Sequence, residues 1–201
     1  MDYFKIKRAI DIFFSAAGMA VFFPVLLITA VAVKLDSEGP MIFSQERLGL
    51  NGRKFRMYKF RSMYAGAEKE GVYERKGDSR VTKTGRFIRA TSIDELPQFI
   101  NIIKGEMSLI GPRPVLAYHP WPLDEYTVQQ RKRFSVRPGV TGWAQVNGRK
   151  GLLWEKRIEY DVEYVEHISF ILDLKIFLKT LIRVVTAHNN INTGETASKS
   201  H

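Results

Sequence analysis

Residues 12–33 run for 22 positions without an Asp, Glu, Lys or Arg. About 20 apolar residues suffice to carry a helix across a ~30 Å hydrocarbon core, so this segment limits the fold more than any other. Two rival readings fit it less well. The apolar core of a secretory signal is about 7–15 residues long. The run here is longer and opens beside Asp11, although Ala30-Val31-Ala32 has the small residues of a cleavage site. A soluble helix that is apolar all round needs a core to surround it, and a chain of 201 residues has little to offer.

Pro24 lies near the middle of the run. It lacks an amide hydrogen and frees the carbonyl of Ala20, which predicts a kink, and Gly18 weakens the helix locally. The two halves, residues 12–23 and 24–33, are 12 and 10 residues long. At about 1.5 Å per residue neither spans alone. Lys5, Lys7 and Arg8 precede the run, and the chain beyond Val33 carries 28 Lys+Arg against 19 Asp+Glu. Both flanks therefore favour the cytoplasmic side. A helix–break–helix hairpin that enters and leaves by one face satisfies both; a kinked spanning helix is the alternative.

The formal charge of +10 calls for an anionic partner: nucleic acid, a membrane surface or a phosphorylated substrate. The absence of Cys excludes thiol catalysis, Cys-ligated zinc and a disulfide scaffold. Much of the excess is local, with 13 Lys+Arg against 4 Asp+Glu in residues 47–89. Within it, Phe55, Met57, Lys59 and Arg61 alternate with Arg56, Tyr58 and Phe60, the period of a strand with a basic edge. A solvated surface, a phosphate site and a headgroup-facing patch all fit that tract. Residues 69–80 read as a loop. The C-terminal third reads as helical. Between residues 170 and 185, Lys175, Lys179 and Arg183 form a basic stripe on an apolar cylinder, a pattern shared by helices lying in a membrane interface and by ordinary surface helices. Residues 189–201 read as a disordered tail.

Chemistry concentrates in residues 91–114. Pro97 and Gly105 suit the first position and the stop of a helix, predicted over residues 97–104. That places Asp94 and Glu95 at its N-terminus, where the backbone favours carboxylates. Ser92-x-x-Glu95 also matches a capping box, which would explain Glu95 without chemistry. The functional reading is that one carboxylate attacks phosphorus while a second helps bind Mg²⁺ against substrate phosphates. Arg86, Arg89 and Arg113 would neutralise the phosphate oxygens. Gly111-Pro112-Arg113-Pro114 presents its Arg on a stiff, irregular segment. Asp161, taken alone, reads as a solvated charge among Glu155, Glu159, Glu163 and Glu166.

These motifs stand in one order. Lys7-Arg8-x-x-Asp11 is followed by Tyr58-Lys59-Phe60-Arg61-Ser62-Met63, Gly85-Arg86-Phe87-Ile88-Arg89 and Asp94-Glu95-Leu96-Pro97-Gln98. Then come Met107-Ser108-Leu109-Ile110-Gly111-Pro112-Arg113-Pro114, Arg137-Pro138-Gly139-x-Thr141-Gly142 and Asn147-Gly148-Arg149. In this the chain resembles the bacterial sugar transferases, the small monotopic polyprenyl-phosphate phosphoglycosyl transferases, from about Lys5 to Arg183. The resemblance implies a mixed α/β, helix-rich protein. Residues 1–36 would form a re-entrant membrane hairpin broken at Pro24, residues 37–188 a cytoplasmic catalytic domain with interfacial helices, and residues 189–201 a tail. It implies that a UDP-sugar donates its sugar-1-phosphate to undecaprenyl phosphate with release of UMP, in the presence of Mg²⁺, at the cytoplasmic face of the bacterial inner membrane. Asp94 would become the covalent carrier with Glu95 as its partner. Lys59, Arg86, Arg89 and Arg113 would meet phosphates, and Asp161 would join Asp94 and Glu95 around the metal. Inner-membrane phospholipid, and not nucleic acid, would account for the rest of the positive charge. Many small members have Ser before this Pro; this chain has Phe23, and so lacks a hydroxyl that could bond back to a helix carbonyl. A membrane-anchored module binding anionic lipid or nucleic acid is the competing class.

Overall fold

The computed structural model describes residues 3–71, 77–148 and 153–186. Part of the 69–80 loop, Arg149 and the 189–201 tail lie outside them. The fold is helix-rich with two small two-stranded sheets. In chain order the elements are α1 (Tyr3–Val21), α2 (Phe23–Asp36), β1 (Ile42–Leu48), β2 (Lys54–Phe60), α3 (Lys83–Ala90) and α4 (Gln98–Lys104). Then follow β3 (Ser108–Ile110), α5 (Val128–Arg131), β4 (Gly139–Thr141), α6 (Trp143–Asn147), α7 (Trp154–Glu166) and α8 (Phe170–Thr186). β1 and β2 form an antiparallel hairpin in which Gln45 faces Met57 and Phe43 faces Lys59. β3 and β4 pair in parallel.

α1 and α2 meet at Phe22 and are bent by 64°. Pro24 sits in the first turn of α2, where its missing N–H costs no hydrogen bond. The bend thus forms without a Ser hydroxyl before the proline. No single described helix is long and apolar enough to cross a membrane, whereas the bent pair together meets the length and apolarity of a span.

The hairpin is amphipathic in the reverse sense. Along α1, Arg8, Asp11, Ser15 and Gly18 recur every three or four residues, and that stripe turns toward the protein. Asp11 and Ser15 are buried. Asp11 Oδ1 accepts from the Leu109 amide at 3.0 Å. Arg8 donates to the carbonyls of Ile102 and Ile103 at 2.6 and 3.0 Å and so caps the end of α4. A Cβ on Gly18 would come within 2.9 Å of the Phe99 ring on α4. Lys7 and the Tyr3 hydroxyl meet Asp173 Oδ2 of α8 at 2.6 and 2.5 Å. Phe4, Ile12, Phe13, Phe14, Val21, Phe23, Leu27 and Ile28 point outward and are exposed. Lys7 and Arg8, expected as flanking charges, are thus anchors.

α8 shows which way its stripe turns. Its basic stripe faces α6: Lys179 donates to Asn147 Oδ1 at 2.7 Å, Arg183 to the Gln145 carbonyl at 2.5 Å, and Lys175 and Lys179 lie over the Trp143 ring. Phe170, Ile171, Leu174, Phe177, Leu178 and Leu181 are left outward.

β2 alternates as its sequence suggests up to its end. Phe55 and Met57 are buried with Ile102 and Met107. Phe60 breaks the alternation, because the chain turns there and packs it against Val33 of α2 and Ile88 of α3. The buried Asn101 of α4 acts as a second neighbour for β2. Its side chain accepts from the Tyr58 amide at 3.0 Å and donates to the Arg56 carbonyl at 2.7 Å. Replacing it leaves both backbone groups unpaired, and a buried orphan costs roughly 1–3 kcal/mol. Asn101→Leu is therefore expected to lose about 2–4 kcal/mol of stability by denaturant unfolding in mild detergent. A change below about 0.5 kcal/mol would show that Asn101 is not what holds β2 on α4.

Candidate active site

The acid pair lies in a 3-10 turn, Ile93–Glu95, between α3 and α4. Ser92 enters the turn in the left-handed region (φ 59°) and makes no side-chain cap. The capping box that would have explained Glu95 is therefore not formed. α4 starts at Gln98 with Pro97 just before it, and Gly105 ends it in the left-handed conformation. Ile93, next to Asp94, packs into the cluster that holds Leu26, Ala30 and Val33 of α2. The acid pair is thus one residue from the inner face of the hairpin.

Glu95 is held by two cations. Lys59 Nζ of β2 lies 2.8 Å from Glu95 Oε1, and Arg113 Nη2 lies 3.4 Å from the same oxygen. Burial by itself would raise the Glu95 carboxyl, but Lys59 and Arg113 outweigh it and hold it near 2. Asp94 has the opposite balance. It is buried, and desolvation pushes its carboxyl up to about 6, with the Glu95 charge adding to the rise and Lys59, Arg89 and Arg113 opposing it. Two adjacent carboxylates therefore have different characters. One is fixed as an anion within an ion cluster; the other is poorly solvated and basic enough to react.

Arg89 reaches the site because α3 starts hard against the end of β2. The Thr82 amide donates to the Ser62 carbonyl, the Thr82 hydroxyl caps the Gly85 amide, and a Cβ on Gly85 would fall 2.0 Å from the Ser62 oxygen. Arg89 Nη1 then lies 3.4 Å from Ser62 Oγ. Arg86, one turn earlier, is exposed, and no contact joins it to the pair.

Asp161 is placed elsewhere. It is buried on α7 and pairs with Arg133 at 2.6 Å. Among the described residues no three acid or His side chains group as a metal site. Asp94 and Glu95 alone suit Mg²⁺, which keeps several waters and is commonly held by one or two carboxylates plus substrate phosphates.

Several organising residues give little sign of their roles in the sequence. Arg61 is buried and caps the end of α2 through the carbonyls of Val33 and Ser37 while donating to Pro40 O at 2.6 Å. Arg47 donates to the Pro114 carbonyl at 3.2 Å, and Arg80 pairs with Asp78 at 2.6 Å. Part of the basic tract is thus internal bonding, while Arg53, Lys54, Arg56, Lys69, Lys83 and Arg86 are exposed. The signal that could have located these roles is weak: a cation amid apolar neighbours at a strand end, as at Arg61.

A family model described as bacterial sugar transferase matches residues 2–187. The chain is 44 % identical over 175 residues to an uncharacterized sugar transferase, EpsL, of Bacillus subtilis, covering 87 % of this chain and 85 % of that one. It is 41 % identical over 189 residues to the UDP-glucose:undecaprenyl-phosphate glucose-1-phosphate transferase of Caulobacter vibrioides, covering 91 % and 71 %. It is 44 % identical over 188 residues to the UDP-N-acetylgalactosamine-undecaprenyl-phosphate N-acetylgalactosaminephosphotransferase of Aeromonas hydrophila, covering 92 % of this chain but only 44 % of that longer relative. The match takes in the bent hairpin, the β2 lysine and the acid pair together, and on that ground the chain belongs to the bacterial sugar transferase family and is an enzyme of the transferase class.

Proposed function

We propose that this chain transfers a sugar-1-phosphate from a UDP-sugar to undecaprenyl phosphate through a covalent phosphosugar on Asp94. The observation that carries this reading is the asymmetry of the acid pair: Lys59 and Arg113 both meet Glu95 Oε1, while the neighbouring Asp94 is buried, and desolvation raises its carboxyl to about 6. At neutral pH Asp94 is an ionised but poorly solvated carboxylate, the form a nucleophile requires. Its oxygen attacks the phosphorus that bears the sugar. The bond from that phosphorus to the bridging oxygen breaks, and UMP leaves with the electron pair. An oxygen of undecaprenyl phosphate then attacks the same phosphorus, breaks the acyl–phosphate bond and regenerates the carboxylate. Lys59, Arg89 and Arg113 surround the charge that builds on the phosphoryl oxygens. Asp94 and Glu95 would together hold Mg²⁺, which when bound neutralises diphosphate charge.

The reversed amphipathicity of α1, α2 and α8 supports seating this site at a membrane. Outward apolar faces of this extent are unfavourable in water and favourable in lipid. We read the hairpin as re-entrant, entering from the cytoplasmic face of the inner membrane, with the Ile93 contact to α2 bringing Asp94 to the level of a lipid-borne phosphate. A nucleic-acid role finds less support, since Arg47, Lys59, Arg61 and Arg80 are engaged within the protein.

The direct test is release of UMP in detergent with Mg²⁺, undecaprenyl phosphate and a panel of UDP-sugars that includes glucose and N-acetylgalactosamine. Release that depends on the acceptor is expected with at least one donor, and Asp94→Asn is expected to lower it by about 10³-fold or more. A fully active Asp94→Asn would remove the nucleophile from the scheme. The pH dependence follows from the same geometry. Because the Asp94 carboxyl is raised, kcat/KM for the donor should fall as pH drops through about 6 and level off above it. Lys59→Met removes the strongest of the opposing cations, so the rising limb should move to higher pH; a flat profile from pH 5 to 8 would contradict the assignment. For topology, Cys probes at residues 2 and 195 should label from the same membrane face, and labelling from opposite faces would establish a span.

A further inference from the structure

Arg133 and Asp161 form the most deeply buried ion pair among the described residues, with side chains 2 % and 3 % exposed. Arg133 Nη2 and Nε lie 2.6 and 3.1 Å from Asp161 Oδ2. The desolvation of such a pair roughly cancels its attraction, so stability alone does not account for it. A second contact gives a reason. The same Nη2 donates to the backbone carbonyl of Arg113 at 2.9 Å.

That carbonyl belongs to a row in which every member is held. Pro112 O accepts from the Gly139 amide at 2.9 Å, Arg113 O from Arg133, Pro114 O from Arg47 at 3.2 Å, and Val115 O from the Leu48 amide at 2.9 Å. The Gly111 amide donates to Thr141 O at 2.9 Å, and a Cβ on Gly111 would lie 2.5 Å from Arg137 O. Pro112 and Pro114 fix φ on either side. What points out of this rigid strip is the Arg113 guanidinium, directed at Glu95.

We propose that Arg133, charge-balanced by Asp161, is a positioning residue that fixes the Arg113 backbone and thereby aims the Arg113 guanidinium at the acid pair. On this assignment Asp161 acts two side chains away from the reacting phosphate and does not ligate a metal. Its importance for turnover rests on the transfer reading above; its effect on the 111–115 strip does not. A guanidinium displaced by about 1 Å is enough to cost on the order of 10²-fold in rate.

The test uses the full chain in detergent with an apolar replacement of the whole pair, Arg133→Met with Asp161→Leu, which removes both charges together and leaves neither buried alone. Melting temperature, hydrogen exchange of the peptide spanning residues 111–118, and kcat and KM for UMP release are measured. Melting at or above the parent temperature is expected, with faster exchange in that peptide. kcat should fall by about 10- to 100-fold while the donor KM stays within about twofold. Adding Arg113→Ala to the double variant should cost less than about threefold, because its role is already lost, whereas in the parent it should cost the full effect. Parental exchange together with parental kcat would overturn the proposal, and so would a kcat loss on which Arg113→Ala remains fully additive. If the double variant does not fold, Arg133→Lys replaces it. A lysine keeps a charge for Asp161 but lacks the planar guanidinium fork that meets Asp161 and the Arg113 carbonyl together, so the same loosening and non-additivity are expected, and parental behaviour overturns the proposal. A parent chain that releases no UMP, paired with variants that loosen residues 111–118, would support the positioning role and overturn the transfer reading.

Discussion

The ion pair between Lys59 and Glu95 is the contact on which the chemistry of this molecule depends. It joins the end of β2 to the 3-10 segment before α4, and it separates two neighbouring carboxylates into different states. Without Lys59 only Arg89 and Arg113 would oppose the desolvation of Asp94 and the charge of Glu95 beside it. With it, Glu95 is held as the anion of the cluster while Asp94 stays desolvated. The supporting structure maintains that distance. Asn101 ties β2 to α4, the Thr82–Ser62 contact seats α3 on the end of β2, and Arg61 stops α2 beside both.

The second constraint is the solvent that the outside of the molecule requires. In a water-soluble protein α1 would bury Phe13 and Phe14 and expose Arg8 and Asp11; here the reverse holds. The polar stripe of α1 does what an apolar stripe does in a bundle, and it does so with directional bonds. Lys7 and Tyr3 converge on Asp173, which also accepts from the Tyr164 hydroxyl at 2.7 Å. One carboxylate therefore locks the hairpin to α7 and α8. The place of the hairpin and the position of the acid pair are therefore set together.

Parts of this arrangement were legible from residue types alone. Pro24 gave the break, Pro97 and Gly105 gave the limits of α4 to within a residue, and the Phe55–Met57 alternation gave β2, because each rests on local backbone or pleat geometry. The acid pair could be found, but its two characters could not, since the shift of Asp94 depends on burial and on cations from β2, α3 and the Arg113 strip. Asp161 looked like a solvated charge amid glutamates because its partner, Arg133, is 28 residues away. The basic stripe of α8 was visible, but its direction was not, because helical spacing defines a face without saying which side the protein is on. The +10 charge pointed to an anionic partner, and the fold shows that Arg47, Lys59, Arg61 and Arg80 are bonded within the protein.

The central claim is that Asp94 carries the sugar phosphate between donor and acceptor. Intact-mass spectrometry of the full chain, mixed with an active UDP-sugar in the absence of undecaprenyl phosphate, tests it most directly. The account predicts a mass increase equal to one sugar phosphate, mapped by fragmentation to Asp94, released on addition of undecaprenyl phosphate and absent from Asp94→Asn. Transfer that proceeds at the parental rate with no adduct at any time, or an adduct on another residue that Asp94→Asn leaves in place, would contradict it.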